Sequence, residues 1–212
     1  MSSIESALAR AQVYGAAAAA FGYPSDDTAM QGIADAASQS RLAAEFLGFA
    51  PETVLALDAF SSEAEKTNAT ELKKDYDRLF IGRGTARLDE SEYDEHIFNR
   101  YQRMADIAGF YKAFGFEAAE ASPERPDFVG SEFEFMNLLS LKEAYAVEQD
   151  WPEQTKVCRD AQAKFFTEHL EWWVPPMSDK LAAATECPYY LALASMLKAL
   201  ISEQRMQCLQ PA

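Results

Sequence analysis

The sequence predicts an all-α protein: a single helical domain over residues 1–212, with roughly 9–11 helices packed as a bundle. Apolar residues recur at helical intervals in almost every long segment. No stretch alternates apolar and polar residues over the length of a strand, and no internal repeat is visible. A chain of 212 residues is long enough to bury a core within one domain, with a minor division expected near 115–129.

The helices follow in order from this periodicity and from residues that begin or end helices. Tyr23-Pro24 ends the first helix, Ser25 caps the second, and Ser61 or Ser62 begins a long helix that stops before Gly82-Arg83-Gly84. Pro175-Pro176 breaks the chain again, and Ser178 caps the helix after it. The predicted helices cover residues 2–22, 25–39, 40–48, a helix beginning at 51, then 61–80, 95–114, 130–149, 152–171, 178–184 and a last one from 188.

Residues 89–95, Asp-Glu-Ser-Glu-Tyr-Asp-Glu, contain five carboxylates within seven positions. The simplest interpretation is a solvated loop that leads into the helix from residue 95. Acidic residues favour a helix N-terminus because they interact well with the helix dipole.

Charge and patterning exclude several classes of function. Nineteen basic and 34 acidic residues give a net charge of −15, which would repel nucleic acid and attract a cationic partner. No apolar run is long enough to span a membrane. No basic segment precedes the apolar residues 16–20, so we expect no export signal. Scattered cysteines and this lack of a signal predict a cytoplasmic protein.

No catalytic constellation is visible in the sequence. The only histidines are His96 and His169, and neither belongs to a Glu-x-x-His or His-Glu-x-x-His motif. No Gly-x-Ser-x-Gly motif occurs, and Gly82-Arg83-Gly84 lacks the lysine of a phosphate-binding loop. We therefore predict a protein that is not an enzyme and that has no metal site and no cofactor.

Three segments place large aromatic residues beside carboxylates at helix ends. Each alone is explained more simply by core packing with a solvated polar face. The segments are Tyr76–Phe80 with the later Ser91-Glu92-Tyr93, then Pro126-Asp127-Phe128 with Glu132–Met136, and finally Phe165–Pro175.

Taken in this order, the segments resemble the TorD/DmsD/NarJ family of redox-enzyme maturation chaperones over about residues 5–205. The family pattern has Tyr-x-x-Leu-Phe, Ser-x-Tyr, Pro-Asp-His, Glu-Leu-Glu-Phe-Met and Phe-x-x-x-His-Leu-x-x-Trp-x-Pro. Two positions depart from it, since Phe128 stands in place of histidine and Phe133 in place of leucine. The matching residues are Tyr76, Leu79, Phe80, Ser91, Tyr93, Pro126, Asp127, Glu132, Glu134, Phe135, Met136, Phe165, His169, Leu170, Trp172 or Trp173, and Pro175.

The resemblance implies a cytoplasmic, system-specific chaperone, either monomer or dimer. Such a protein binds the twin-arginine leader and immature catalytic subunit of a molybdopterin oxidoreductase of the DMSO reductase family, type II enzymes included. It assists cofactor insertion and holds back premature export. The alternative is a general helical adaptor or assembly protein without leader specificity. A more distant rival is an enzyme or nucleotide-hydrolysing switch, which bound metal or nucleotide in the purified protein would favour.

A twin-arginine leader needs carboxylates for its guanidinium groups and an apolar groove for the hydrophobic run beside them. Asp127, Glu132 and the acidic residues 89–95 are the predicted carboxylates. We expect Asp127→Asn to weaken peptide binding with little change in stability. The predicted apolar contacts are Tyr76, Phe80, Tyr93, Phe128, Phe133 and Met136.

Overall fold

The computed structural model describes residues 3–81, 85–116 and 125–209. Helices make up most of these residues, and no strand occurs among them, as the sequence predicted. The helices are α1 (Ser3–Ala19), α2 (Asp27–Leu47), α3 (Pro51–Lys66), α4 (Ala69–Phe80), α5 (Ile97–Phe114), α6 (Val129–Glu148), α7 (Pro152–Phe165), α8 (Val174–Ala184) and α9 (Pro188–Leu209). A 3-10 turn covers Glu90–Tyr93, and a π-helix, Phe166–Leu170, continues α7.

One hydrophobic core takes in residues from α1 through α9, on both sides of the division expected near 115–129. Residues 117–124 of that segment, like 82–84, lie outside the described part of the chain. Helix α1 packs on α2 and α6, while α9 packs on α3 and α8. Alanines on the buried face of α1 allow α6 to approach closely, and the Arg10–Glu143 and Asn137–Ala11 contacts show that these two helices run antiparallel.

The predicted helix boundaries between residues 25 and 80 were wrong in two places. Helix α2 is continuous across residue 40, because the buried Ser40 hydroxyl donates to the carbonyl oxygen of Ala37 at 2.7 Å and stays compatible with the helix. The long helix begins at Ala69 because Asn68 caps it, its side chain accepting from Glu71 N at 2.9 Å. Ser61 lies inside α3.

The break predicted at Pro175-Pro176 was also wrong. Both prolines lie in the first turn of α8, where backbone N–H groups have no partner within the helix and proline is tolerated. Ser178 is therefore an interior residue, and its hydroxyl donates to Val174 O at 2.8 Å. None of the described helices is both long and apolar enough to cross a bilayer.

Candidate functional site

Three segments that are distant in sequence meet beside the N-terminal end of α6. The chain at Asp89 pairs antiparallel with Phe128. Glu90 N donates to Asp127 O, and Val129 N donates to Leu88 O, both at 2.8 Å. The third segment, the π-helix and the tryptophans after it, joins through the side chain of Glu90. The motif residues around Ser91, Asp127 and His169 are thus brought together.

Asp127 holds the first two segments together from inside the protein. Its side chain is fully buried. Oδ2 accepts from Ser91 N at 3.0 Å, and both carboxylate oxygens accept from the Arg125 guanidinium at 3.0 Å. Arg125 also donates to Ser91 Oγ and to Glu92 at 3.3 Å. A buried carboxylate paired in this way is a structural clamp, and in this conformation it does not face a peptide.

Glu90 connects the third segment and is also fully buried. Its carboxylate accepts from Trp172 Nε1 at 2.9 Å, Arg103 Nη1 at 3.1 Å and His169 Nδ1 at 3.0 Å. The solvated loop predicted for residues 89–95 is therefore wrong at this position and at Ser91, which is buried as well. Burial is tolerated because each charge has a partner.

Arg103 closes the outer side of this network. Its guanidinium lies 4.2 Å from the Trp172 ring centroid and donates to Asp94 Oδ2 at 2.7 Å. That hydrogen bond lowers the pKa of Asp94, which keeps its negative charge opposite Arg103.

Glu132 forms a second carboxyl group within the same buried network. Oε2 accepts from Trp173 Nε1 at 3.2 Å, and the side chain hydrogen-bonds to Glu90. Complete burial and the negative charge of Glu90 raise the pKa of Glu132 well above its usual value. Because Glu90 already accepts from three donors, Glu132 is the partner that carries the proton and donates it to Glu90.

Half of the predicted peptide-binding residues lie inside the protein. Phe133 and Met136 are fully buried in the core, like Asp127 and Glu132. Direct contact with a peptide is not available to these four in this conformation. Their part in peptide recognition stays a prediction.

The predicted aromatic residues Tyr76, Phe80 and Tyr93 are half-buried. On α4, the Tyr76 ring contacts Tyr23 at 5.1 Å and Phe80 at 5.0 Å between centroids. The Tyr93 hydroxyl donates to Arg87 O at 2.9 Å, and its ring lies 5.5 Å from that of Trp173. Whether these residues contact a peptide stays a prediction.

Phe128 lines a groove between the C-terminal end of α1 and the N-terminal part of α6, which we call the α1/α6 groove. Its volume is about 420 Å³, and exposed Glu134 lies on its α6 side. A Cβ added to Gly130 would lie 2.5 Å from Phe128 Cε1, so the glycine lets the ring lie across the helix start. The other lining residues that matter here are small: Gly15, Ala18, Ala19, Gly22, Gly130 and Ser131.

An apolar ridge continues from this groove along α6. Glu134, Leu138, Leu141 and Tyr145 share one face of the helix, at spacings of four, three and four residues. Leu141 is 44% exposed and Tyr145 is 54% exposed. The ring of Trp151, 45% exposed, lies 5.6 Å from that of Tyr145. We call Leu138, Leu141, Tyr145 and Trp151 together the α6 ridge.

Comparison with known proteins decides the family. Residues 27–179, more than two thirds of the chain, match the model of the family described as nitrate reductase delta subunit. The chain belongs to this family. It is also 26% identical over 202 residues to the perchlorate reductase assembly chaperone protein of Dechloromonas aromatica (strain RCB), covering 91% of this chain and 87% of that protein. The resemblance to redox-enzyme maturation chaperones is thereby confirmed, and the chain is a chaperone and not an enzyme.

The chaperone's motif residues explain the resemblance in structural terms. Asp127, Glu132, His169 and Trp172 or Trp173 match the family pattern because together they form the buried network that fixes two loops and a helix start. Sequence reasoning missed the α1/α6 groove. Its signal in the sequence is the run of small residues from Gly15 to Ala20, followed by Gly22.

The described part of the chaperone contains no group of three or more histidine, cysteine or acidic side chains arranged to hold a metal ion. Cys158 and Cys187 are separate thiols, and burial raises the pKa of each. A raised pKa keeps a thiol protonated and poorly nucleophilic at neutral pH.

Proposed function

We propose that this chaperone works in the cytoplasm on the catalytic subunit of a molybdopterin oxidoreductase of the DMSO reductase family. It binds the subunit's twin-arginine leader and its immature body, assists cofactor insertion, and holds back export until insertion is complete. Family membership supports the assembly role, and the relative from Dechloromonas aromatica is named for the assembly of a reductase. The observation that carries the proposal is the α1/α6 groove with the α6 ridge, an apolar surface that begins at an exposed carboxylate.

The chemistry of this surface fits a leader with an arginine pair beside an apolar run. Glu134 offers a carboxylate that a guanidinium group can bind through two hydrogen bonds. The small residues of the groove allow a peptide backbone to approach closely, and the Phe128 ring forms one wall. The net charge of −15 attracts a cationic peptide and speeds its encounter with the protein.

The dimensions also fit. Eleven helical residues separate Glu134 from Tyr145, which corresponds to about 16 Å along the helix axis. An extended peptide of roughly five residues covers that distance. Large exposed apolar side chains that lie next to one another on one helix face are typical of a surface that binds a partner.

Variants of the ridge and groove test this site. We expect Leu141→Ser and Tyr145→Ser each to weaken binding of a synthetic leader about tenfold or more in calorimetry, since each removes an apolar side chain that the peptide would cover. Glu134→Gln should weaken binding of the arginine-containing leader more than that of a leader with glutamines in place of both arginines.

Leu55→Ser is the matched control, because Leu55 is 68% exposed on α3, a helix that packs on α2 and α9. Equal losses in Leu55→Ser and in the ridge variants would contradict the proposed site. Unchanged affinity in Leu55→Ser and in all of the ridge variants would also contradict the proposed site.

A general adaptor without leader specificity is the second candidate, favoured by the α6 ridge itself. Its four side chains carry no charge and would bind any apolar segment equally well. An adaptor would bind leaders with arginine, lysine or glutamine pairs with the same affinity, whereas the proposed chaperone binds the arginine form best.

A further inference from the structure

The N-terminal end of α6 forms one side of the α1/α6 groove, and no side chain caps it. Phe128 occupies the N-cap position, and its ring cannot accept a hydrogen bond as a serine or asparagine would. The first backbone N–H of the helix, that of Val129, donates to Leu88 O at 2.8 Å. The N–H groups of Gly130 and Ser131 have no acceptor among the described contacts. Two backbone donors of the first turn are therefore left for a ligand or for water.

The Ser131 side chain is a third donor at the same place. The residue lines the groove and is only 6% exposed. Its hydroxyl has no partner among the described residues, yet it is not one of the fully enclosed atoms without a partner, so it keeps some contact with solvent. Ser131 shares a helix face with Glu134, three residues on, which also lines the groove. The accessible side of the hydroxyl therefore faces the groove, where a ligand would explain its lack of a partner.

The charges at the groove favour a neutral acceptor over an anion. Among the described residues that line the groove, Glu134 alone carries a charge, and it is negative. The C-terminal end of α1, which carries the partial negative charge of its helix dipole, lies on the opposite side. Both features repel a phosphate or carboxylate group. A carbonyl oxygen has no net charge and accepts from the same donors.

Asn137 adds an acceptor further along α6. Its Nδ2 donates to Ala11 O at 2.6 Å, which leaves Oδ1 as an acceptor without a partner among the described residues. Six helical residues separate Ser131 from Asn137, or about 9 Å along the helix axis. An extended peptide covers that distance in about three residues. A peptide main chain carries both a carbonyl group for the donors and an N–H group for this acceptor.

We propose that the N-terminal end of α6 binds a main-chain carbonyl oxygen of the leader, which accepts from the Ser131 hydroxyl and from the free backbone N–H groups of the first turn. Asn137 Oδ1 accepts from a main-chain N–H about three residues away. The inference rests on the proposed function, because it takes the leader as the occupant of the groove. It adds that the main chain is recognised there, so the side chains of the leader can vary at these positions.

Nuclear magnetic resonance of the backbone amides tests this directly. Titration with a synthetic twin-arginine leader should move the amide protons of Gly130 and Ser131 downfield until they saturate, because each gains an acceptor. The amide proton of Gly32, at an exposed position on α2, should not move. A leader with glutamines in place of both arginines should cause the same shifts at saturation, since its main chain is unchanged.

Serine and alanine variants supply the matched pairs. Ser131→Ala should weaken leader binding about fivefold in calorimetry, whereas Ser195→Ala, at an exposed position on α9, should leave it unchanged. Phe128→Ser and Phe128→Ala both remove the ring, but only serine can cap α6 and occupy its free N–H groups. The serine variant should therefore unfold at a higher temperature than the alanine variant and bind the leader about threefold more weakly.

The outcomes separate this inference from the proposed function. Unmoved Gly130 and Ser131 amides in a protein saturated with leader would overturn main-chain recognition and leave leader binding intact, and equal affinity of the two Phe128 variants would also overturn it. Inorganic phosphate that moves these amides as the leader does would indicate an anion site instead. Amide shifts with the glutamine leader, in a protein that does not prefer the arginine leader, would uphold main-chain recognition and overturn leader specificity.

Discussion

Replacing Glu132 with glutamine tests whether the buried carboxyl pair holds a proton. Glutamine has nearly the same shape as protonated glutamic acid. Its NH2 group can donate to Glu90, and its oxygen can accept from Trp173 Nε1 as Glu132 does at 3.2 Å. We therefore expect Glu132→Gln to fold normally and to keep the network intact.

The magnitude follows from proton linkage. Burial and the charge of Glu90 raise the pKa of Glu132 in the folded state, so folding at neutral pH requires a proton that the unfolded chain does not hold. The contribution of the protonated group to stability is fully present below the unfolded pKa and is lost as the pH rises. Over the pH range in which the folded and unfolded states differ by one bound proton, the free energy of unfolding falls by about 1.4 kcal/mol per pH unit. The glutamine variant avoids this loss.

Urea unfolding followed by circular dichroism at several pH values between 5 and 8 measures the difference. The free energy of unfolding of Glu132→Gln minus that of the natural protein should be positive at pH 7 and should increase with pH. Glu134→Gln, on the same helix but exposed, is the control and should show no such trend. A Glu132→Gln protein that is less stable at every pH, with an unchanged slope, would refute the protonated pair.

Two further changes test the clamp and the helix contact. Asp127→Asn should lower the free energy of unfolding by about 2–3 kcal/mol, because it weakens the hydrogen bonds to half-exposed Arg125. The control is Asp77→Asn at an exposed position, which should change the free energy of unfolding little. Weaker leader binding without destabilisation would instead indicate that Asp127 contacts the peptide directly. Gly15→Ala should be about 1–2 kcal/mol less stable than Gly32→Ala. A Cβ at position 15 would lie 2.9 Å from the Asn137 amide nitrogen, whereas a Cβ at position 32 would have no atom within 4 Å. Equal stability of the two variants in thermal unfolding would contradict this.

The sequence predicted the helices well because their apolar periodicity is strong. The helix boundaries were predicted less well, because serine and proline do not by themselves show where a helix begins. Serine at positions 40 and 61 resembles a cap, yet the Ser40 hydroxyl can bond within its own helix. Asn68 was the actual cap of α4, and only the tertiary arrangement decides which of several candidate caps is used. Pro175 illustrates the same ambiguity, since proline either breaks a helix or begins one.

The sequence identified the residues of the site but not the role of each residue. The motifs identified Asp127, Glu132 and His169, but a carboxylate that binds a peptide and one that binds Arg125 look alike in sequence. Burial decides between them, and burial depends on contacts between distant segments. The sequence could not predict that Glu132 lies beside Glu90, because 42 positions separate the two residues along the chain.

Calorimetric titration of the chaperone with a synthetic twin-arginine leader from a molybdopterin oxidoreductase tests the central claim most directly. We expect a dissociation constant in the micromolar range or tighter, and an affinity about tenfold lower for the same leader with two lysines, which cannot bind a carboxylate through a planar pair of hydrogen bonds. Affinity no better than millimolar for the arginine leader, or equal affinity for both leaders, would contradict leader recognition by this protein.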